Sequence, residues 1–204
     1  MKMSKEGVAE LVRSEGSRAQ VYDDRNGQTI SSFAQAQGYP TIGVGHLITP
    51  SQYARFEKYL GGRSAMSQAQ IEDLLREDLP KYEVPVKDAI NEVITQEMFD
   101  ALVSLAFNAG PNSYAVKNAI KAINVKDWNG AAQAIADGPK TSKGILVQGL
   151  VKRRANEAQW FLSGGLPSWS SGIRIFGSQI KPVPLAISGS LLLFGIGFYL
   201  YRKK

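Results

Sequence analysis

Six glycines, at positions 27, 38, 43, 45, 61 and 62, punctuate one part of this chain, and after them its hydrophobic period changes. Between residues 17 and 62 no apolar pattern lasts long enough for a sizeable helix. Val21-Tyr22 and Tyr39 to Val44 are short strand candidates, and Asp24-Arg25-Asn26-Gly27 has turn chemistry. Pro50 to Tyr59 reads as a short helix. From Ser67 onward, apolar residues return every three or four positions, the period of a helix with one buried face. Strands gathered in one part of a chain and helices in another predict an α+β fold: a small, irregular sheet lobe and a larger helical lobe.

The helical stretches have legible ends. Ser4 can cap a first helix whose Val8, Leu11 and Val12 share a face and which ends near Glu15-Gly16. Ser67-Gln68-Ala69-Gln70 fits a capping box, followed by Ile71, Leu74 and Leu75 at helical spacing. Pro80 and Pro85 are expected to interrupt or kink what comes next. A helix over 96–107 presents Phe99, Leu102, Val103, Ala106 and Phe107, and Asn108-Ala109-Gly110-Pro111 stops it. Further helices fit 113–123, 128–136 and 147–162. The last of these turns Leu150, Ala158, Phe161 and Leu162 inward, with Trp160 nearby.

Composition removes several classes of chemistry. With no cysteine there is no disulfide, thiolate metal site or cysteine nucleophile, and one histidine cannot build a multi-histidine zinc site. The formal charge of +6 first suggests an anionic partner. Arg174, Lys181, Arg202, Lys203 and Lys204 supply five of the 24 basic residues, however, and residues 163–204 hold none of the 18 acidic ones. The rest of the chain is nearly balanced, so no nucleic-acid face is expected.

The basic tail flanks an apolar run. Residues 163–181 are rich in Ser, Gly and Pro and read as a linker after a folded unit over 1–162. Pro182 to Tyr201 are twenty residues without a charge, and at ~1.5 Å per residue they reach about 30 Å, enough to cross a bilayer core. Tyr199 and Tyr201 suit an interface and Arg202-Lys203-Lys204 end the run. Residues 182–204 are therefore expected to be a transmembrane anchor with a basic end. Met1 to Glu6 have no apolar run behind them, so no cleavable signal is expected.

Glu15 to His46 gather the chemistry-bearing residues. Hydrolysis of a glycosidic bond needs an acid for the leaving oxygen and a second group at the anomeric carbon. Glu15, at a helix C-terminus, feels a macrodipole that disfavours negative charge, and burial in a cleft would act in the same direction, towards the protonated form an acid needs. Asp24 lies past the following turn, on the sheet lobe. Thr41, at the end of the next strand, is placed to hold a water against it. Spacing alone gives these residues little weight, because two acids nine positions apart are common. Gly43-Val44-Gly45 does not complete a dinucleotide-binding pattern, since residue 48 is Ile. No nucleophile elbow accompanies His46, which reads as a structural hydrogen-bonder.

Glu15-Gly16, Tyr22-Asp23-Asp24 and Thr41-Ile42-Gly43-Val44-Gly45-His46, taken together and in order, resemble the phage-type lysozymes, the endolysin muramidases of glycoside hydrolase family 24. Phe99 to Gly110 resembles that family's central helix, and Gly149-Leu150-Val151-Lys152-Arg153-Arg154-Ala155-Asn156-Glu157 its C-terminal Gly-Leu-x-x-Arg-Arg-x-x-Glu helix. The resemblance spans about residues 6–162. It implies a lysozyme-like fold with the cleft between the lobes. It implies hydrolysis of the β-1,4 bond between N-acetylmuramic acid and N-acetylglucosamine in peptidoglycan, without a cofactor or metal. It places the general acid on Glu15, the second carboxylate on Asp24 with Asp23 as the near-miss, and the water-positioning residue on Thr41. Arg153 matches a basic residue that approaches the acid, and Arg154 is its alternative.

Two departures stand out. Sixteen residues, Arg25 to Pro40, separate Asp24 from Thr41 where relatives have a short turn. The extra part, roughly 28–37, is expected to be a lengthened hairpin or loop, and it brings Thr29 in as an alternative to Thr41. The second departure is the apolar tail, which implies a lipid bilayer as a partner through residues 182–201. The basic end favours an enzyme lobe on the outer side, as in a virion membrane or on a host inner membrane facing the periplasm. Three other readings stay open: a lysozyme fold that binds wall without cutting it, a structural virion membrane protein, and a lytic transglycosylase.

Overall fold

The computed structural model describes residues 1–164. The expected transmembrane anchor and nearly all of the expected linker lie outside the described residues. Among those described, no helix is long and apolar enough to cross a membrane.

The first helix, α1 (Lys5–Glu15), is capped by Ser4, whose Oγ accepts the Gly7 N–H at 2.9 Å. Val8, Leu11 and Val12 are buried as their spacing predicts. The segment before the cap is tied into the helical lobe. Met3 N donates to Glu83 Oε1 at 2.8 Å, Ser4 N to Asp100 Oδ1 at 3.1 Å, and Gln96 Nε2 to the Lys2 carbonyl at 2.9 Å. Met3, Glu83 and Asp100 are all buried. Burial pushes the Asp100 carboxyl above its usual range, against the hydrogen bonds from Ser4 and Gln96.

The sheet lobe contains a three-stranded antiparallel sheet in the order β1 (Arg18–Asp23), β2 (Pro40–Gly43), β3 (His46–Leu47). Tyr22 faces Thr41 across β1 and β2, and Ile42 faces His46 across β2 and β3. Gly43 at φ 63° and Gly45 at φ 72° take the left-handed conformations that reverse the chain between β2 and β3, where a side chain would be strained. The expected helix over 50–59 is broken into a 3-10 turn at Pro50–Gln52, one α turn, α2 (Tyr53–Phe56), and another 3-10 stretch at Glu57–Gly62.

The stretch before Thr41 is a packed loop. Thr29 bridges to Tyr22, Ile30 N donates to the Val21 carbonyl at 3.1 Å, and Gly61 N donates to the Ile30 carbonyl at 2.9 Å. A 3-10 turn at Phe33–Gln35 presents Phe33, whose ring stacks on Tyr53 with centroids 3.9 Å apart. Ile30 is buried.

Helices α3 (Gln68–Asp78), α4 (Pro80–Ala89), α5 (Gln96–Ala109), α6 (Tyr114–Asn124), α7 (Trp128–Ala136) and α8 (Gln148–Ser163) complete the described chain, with a hairpin of β4 (Thr141–Ser142) and β5 (Ile145–Leu146) before α8. The Ser67 capping box is formed. Pro80 marks the junction of α3 and α4, but α4 runs on through Pro85, forfeiting one hydrogen bond in its first turns. Every residue of α5 from Met98 to Ala106 is buried. A helix buried on all sides is a core axis, and α1, α4, α6 and α8 pack around this one.

The buried face of α8 corrects the sequence expectation. Ala158 and Phe161 are buried, but Leu150 and Leu162 are only half-buried, and the remaining core positions belong to Arg154 and Glu157. Two opposite charges on one helix face offset each other's burial, and a count of apolar residues passes over them.

Helix α3 links the lobes by packing against α1, β2 and β3. At its end, Asp78 Oδ2 lies 2.8 Å from His46 Nδ1, and Lys81 Nζ donates to Asp78 Oδ1 at 2.6 Å. Gln52 Nε2 is 3.1 Å from His46 Nε2. His46 is thus a structural hydrogen-bonder. Burial alone would raise the Asp78 carboxyl, but the hydrogen bonds from His46 and Lys81 outweigh it and hold the carboxyl below its usual range. A lowered carboxyl contributes stability above its unfolded value, near ~4, and loses it as pH falls through the folded value. Asp78→Asn is therefore expected to cost about 1–2 kcal/mol at pH 7 and to shrink the stability difference between pH 7 and pH 3, read by urea unfolding at both.

Candidate active site

The predicted site residues sort into two groups, one where α1 meets α8 and one on the sheet lobe. The first forms where α1 ends against α8. Glu15 is the last residue of α1, its side chain 22% exposed. Arg153 Nη1 donates to Glu15 Oε1. Arg153, not Arg154, therefore reaches the acid, because the two neighbours leave α8 about 100° apart.

Arg153 is itself held from behind. Its Nε donates to Glu157 Oε1 at 3.0 Å and its Nη2 to the Ser104 carbonyl at 3.3 Å. Burial would weaken its positive charge, but Glu15 and Glu157 outweigh that and keep it more basic than usual. Arg154 turns into the core and is fully buried. Its Nη2 donates to Asn108 Oδ1 and to Glu157 Oε1, both at 3.1 Å, while its Nε and Nη1 find no hydrogen-bond partner. Burial, reinforced by the charge of Arg153, makes Arg154 less basic than an ordinary arginine, against the pull of Glu157. The basic residue expected beside Glu15 is thus Arg153, whose guanidinium sits directly on the carboxyl and opposes the effect of burial and the helix end.

The second group forms on the sheet lobe. Asp24, half-buried just past β1, accepts the Tyr39 N–H at 2.7 Å through Oδ1. Thr41, buried on β2, donates its Oγ1 hydrogen to the Tyr39 carbonyl at 3.0 Å. One residue's backbone thus ties the carboxylate to the threonine. Thr29, the alternative, is exposed and bridges to Tyr22 outside the β1–β2 pairing. Burial pushes the Tyr22 hydroxyl up to about 12, with Arg18 opposing and Asp24 adding, so the phenol stays neutral beside the carboxylate.

Asp23 has a role that the sequence reading missed. It is 1% exposed, and its carboxylate accepts N–H groups from Arg25 (3.0 Å), Gln37 (3.0 Å) and Gly38 (2.9 Å), with Asn26 Nδ2 at 3.0 Å. Burial opposes its ionisation, but these hydrogen bonds win and lower the carboxyl below its usual range. The last three residues of β1, Val21, Tyr22 and Asp23, are all buried, and a buried carboxylate must be paired. No group of acidic and histidine side chains able to hold a metal occurs among the described residues.

Residues 12–157 match the family described as Phage lysozyme. The endolysin of Salmonella phage P22 is 31% identical over 168 residues, covering 80% of this chain and 99% of that protein. The endolysin of Bacillus phage PZA is 32% identical over 154 residues, covering 74% of this chain and 54% of that protein. Among solved structures, a mutant P22 lysozyme superposes with a TM-score of 0.62 at 28% identity, covering 80% of this chain and 99% of that one. The muramidase domain of SpmX from Asticaccaulis excentricus superposes with a TM-score of 0.58 at 27% identity, covering 79% and 98%.

Proposed function

We propose, for a chain that belongs to the phage lysozyme family and is a lysozyme by class, the following division of labour. Glu15 is the general acid, Asp24 the second carboxylate, and Thr41 the residue that holds the attacking water. The substrate is peptidoglycan, and the bond cut is the β-1,4 link between N-acetylmuramic acid and N-acetylglucosamine. In the reaction, Glu15 gives its proton to the glycosidic oxygen as that bond breaks. Water adds its oxygen to the anomeric carbon and yields a proton towards Asp24. Arg153 orients the Glu15 carboxyl, and no cofactor is required.

The observation that carries this reading is the Arg153–Glu15 pair, which brings together motifs 138 positions apart in the chain. The engagement of buried Asp23 with the loop supports assigning the second carboxylate to Asp24. The test is clearing of outer-membrane-stripped bacteria by the full chain, with mass spectrometry of the released fragments. Hydrolysis is expected to give reducing-end muramic acid with one added water. Anhydro-muramic ends would make the protein a lytic transglycosylase, and binding without release would leave only a wall-binding module.

The enzyme is further proposed to work while anchored in a bilayer through residues 182–201, in a virion membrane or on a host inner membrane facing the periplasm. The twenty uncharged residues bounded by Arg202, Lys203 and Lys204 motivate this. The full chain is expected to float with lipid vesicles and a chain ending at Gly164 to stay behind. Equal partition of the two would overturn the anchor.

A further inference from the structure

Four charged side chains alternate in sign across the junction of α1 and α8: Glu15, Arg153, Glu157 and Arg154. Glu157 is their pivot. It is 3% exposed, and its Oε1 accepts Ser104 Oγ at 2.7 Å, Arg153 Nε at 3.0 Å and Arg154 Nη2 at 3.1 Å. Its Oε2 lies 3.0 Å from Arg154 Nη2.

This arrangement answers a chemical difficulty. A general acid must hold its proton when substrate arrives, yet a guanidinium against it favours the ionised form. The Arg153 side chain is only 11% exposed, so water screens little of that pull. A second carboxylate behind the guanidinium reduces its net charge as seen from Glu15. It also occupies Nε, which, with Nη2 on Ser104, leaves Nη1 as the nitrogen facing the acid.

We propose that Glu157 is a positioning residue that, through Arg153, sets the pH range over which Glu15 can act as an acid. The proposal rests on Glu15 being the general acid. Arg154 acts in the opposite sense: it shares Glu157 with Arg153 and adds its own positive field.

Among the described residues, few other groups surround the Glu157–Arg154 pair. Helix α5 contributes Ser104, on Glu157, and Asn108, on Arg154, which do not titrate in the working range. Helix α7 presents buried Trp128, Ala131, Ala132 and Ile135. From α6, Tyr114 acts on Arg154. Lys152, on α8 itself, is exposed.

The experiment is the pH profile of wall clearing by the full chain and by Glu157→Gln, Glu157→Asp and Arg154→Met, with Glu15→Gln in parallel. The basic limb marks where the acid loses its proton. With the anion gone, the ionised acid is favoured, so Glu157→Gln is expected to move that limb down by about one pH unit, the size of a buried-site charge effect. With a cation gone, the protonated acid is favoured, so Arg154→Met is expected to move it up by about half a unit. Glu157→Asp keeps the charge and is expected to restore the wild-type limb at a lower plateau.

Opposite shifts support the proposal, since loss of structure alone would not move the limb in both directions. Unmoved limbs, or shifts of one sign, overturn it. If Glu157→Gln does not fold, the upward shift in Arg154→Met decides alone. An active Glu15→Gln would overturn the general-acid reading and this proposal with it. An inactive Glu15→Gln beside a fixed limb would overturn only the latter.

Discussion

Glu15→Gln is expected to fold normally and to clear cell walls on the order of 10²–10⁴ times more slowly, the contribution of a placed general acid. Glutamine keeps the size of the side chain and can still accept from Arg153, but it has no proton to give to a departing sugar oxygen. The fold has little to lose. Glu15 is the last residue of α1 and partly exposed, and Arg153 keeps Glu157 and Ser104 as partners. Thermal unfolding followed by circular dichroism is therefore expected to match wild type within a few degrees while the turbidity assay goes flat. Full activity in this variant would remove Glu15 from the mechanism.

Asp23→Ala is expected to do the reverse, costing about 3 kcal/mol of stability, or about 6–12 °C in Tm for a domain of this size. Three backbone N–H groups and the Asn26 amide lose one carboxylate. The exposed part of the loop recovers water, but the segment at Gln37-Gly38 loses its anchor. The effect has a pH signature. The Asp23 carboxyl is lowered in the fold, so its contribution is complete above the ordinary carboxylate value and fades as pH falls through the lowered one. The gap between wild type and variant should therefore close in acid. Asp24→Asn, whose side chain accepts the Tyr39 N–H, is expected to cost under about 1 kcal/mol and to lose activity instead. A pair of variants at adjacent residues thus separates the carboxylate that folds the loop from the one assigned to the chemistry.

The adjacency of those two acids shows what the sequence could convey. Helix ends were readable because caps are local: Ser4 and Ser67 bond their own first turns. Helix α5 was readable because a long apolar run with a Gly-Pro stop has few alternatives. His46 was rightly taken as structural, but its partner Asp78 lies 32 positions away and no local pattern names it. The inward turn of Arg154 and Glu157 was hidden for the same reason, since the burial of each depends on the other and on Ser104 from α5. The loop before Thr41 looked merely polar because its anchors are backbone groups, Ile30 and a Phe33–Tyr53 stack, none of which has a period. Of the candidate site, the sequence names residue types and their order in the chain. What was not legible was the choice between Arg153 and Arg154, and the discovery that one tyrosine backbone couples Asp24 to Thr41.

The ties that hold the segment before α1 have a consequence for the order of synthesis. A chain emerges from the ribosome N-terminus first, so Met3 and Ser4 exist long before Glu83 and Asp100, the carboxylates that receive them. Helix α1 cannot take its final seat until α5 has been made. Arg153, which grips the acid at its far end, comes later still. Glu15 is translated well before the residues that hold it, so its surroundings are complete only once α8 has been made.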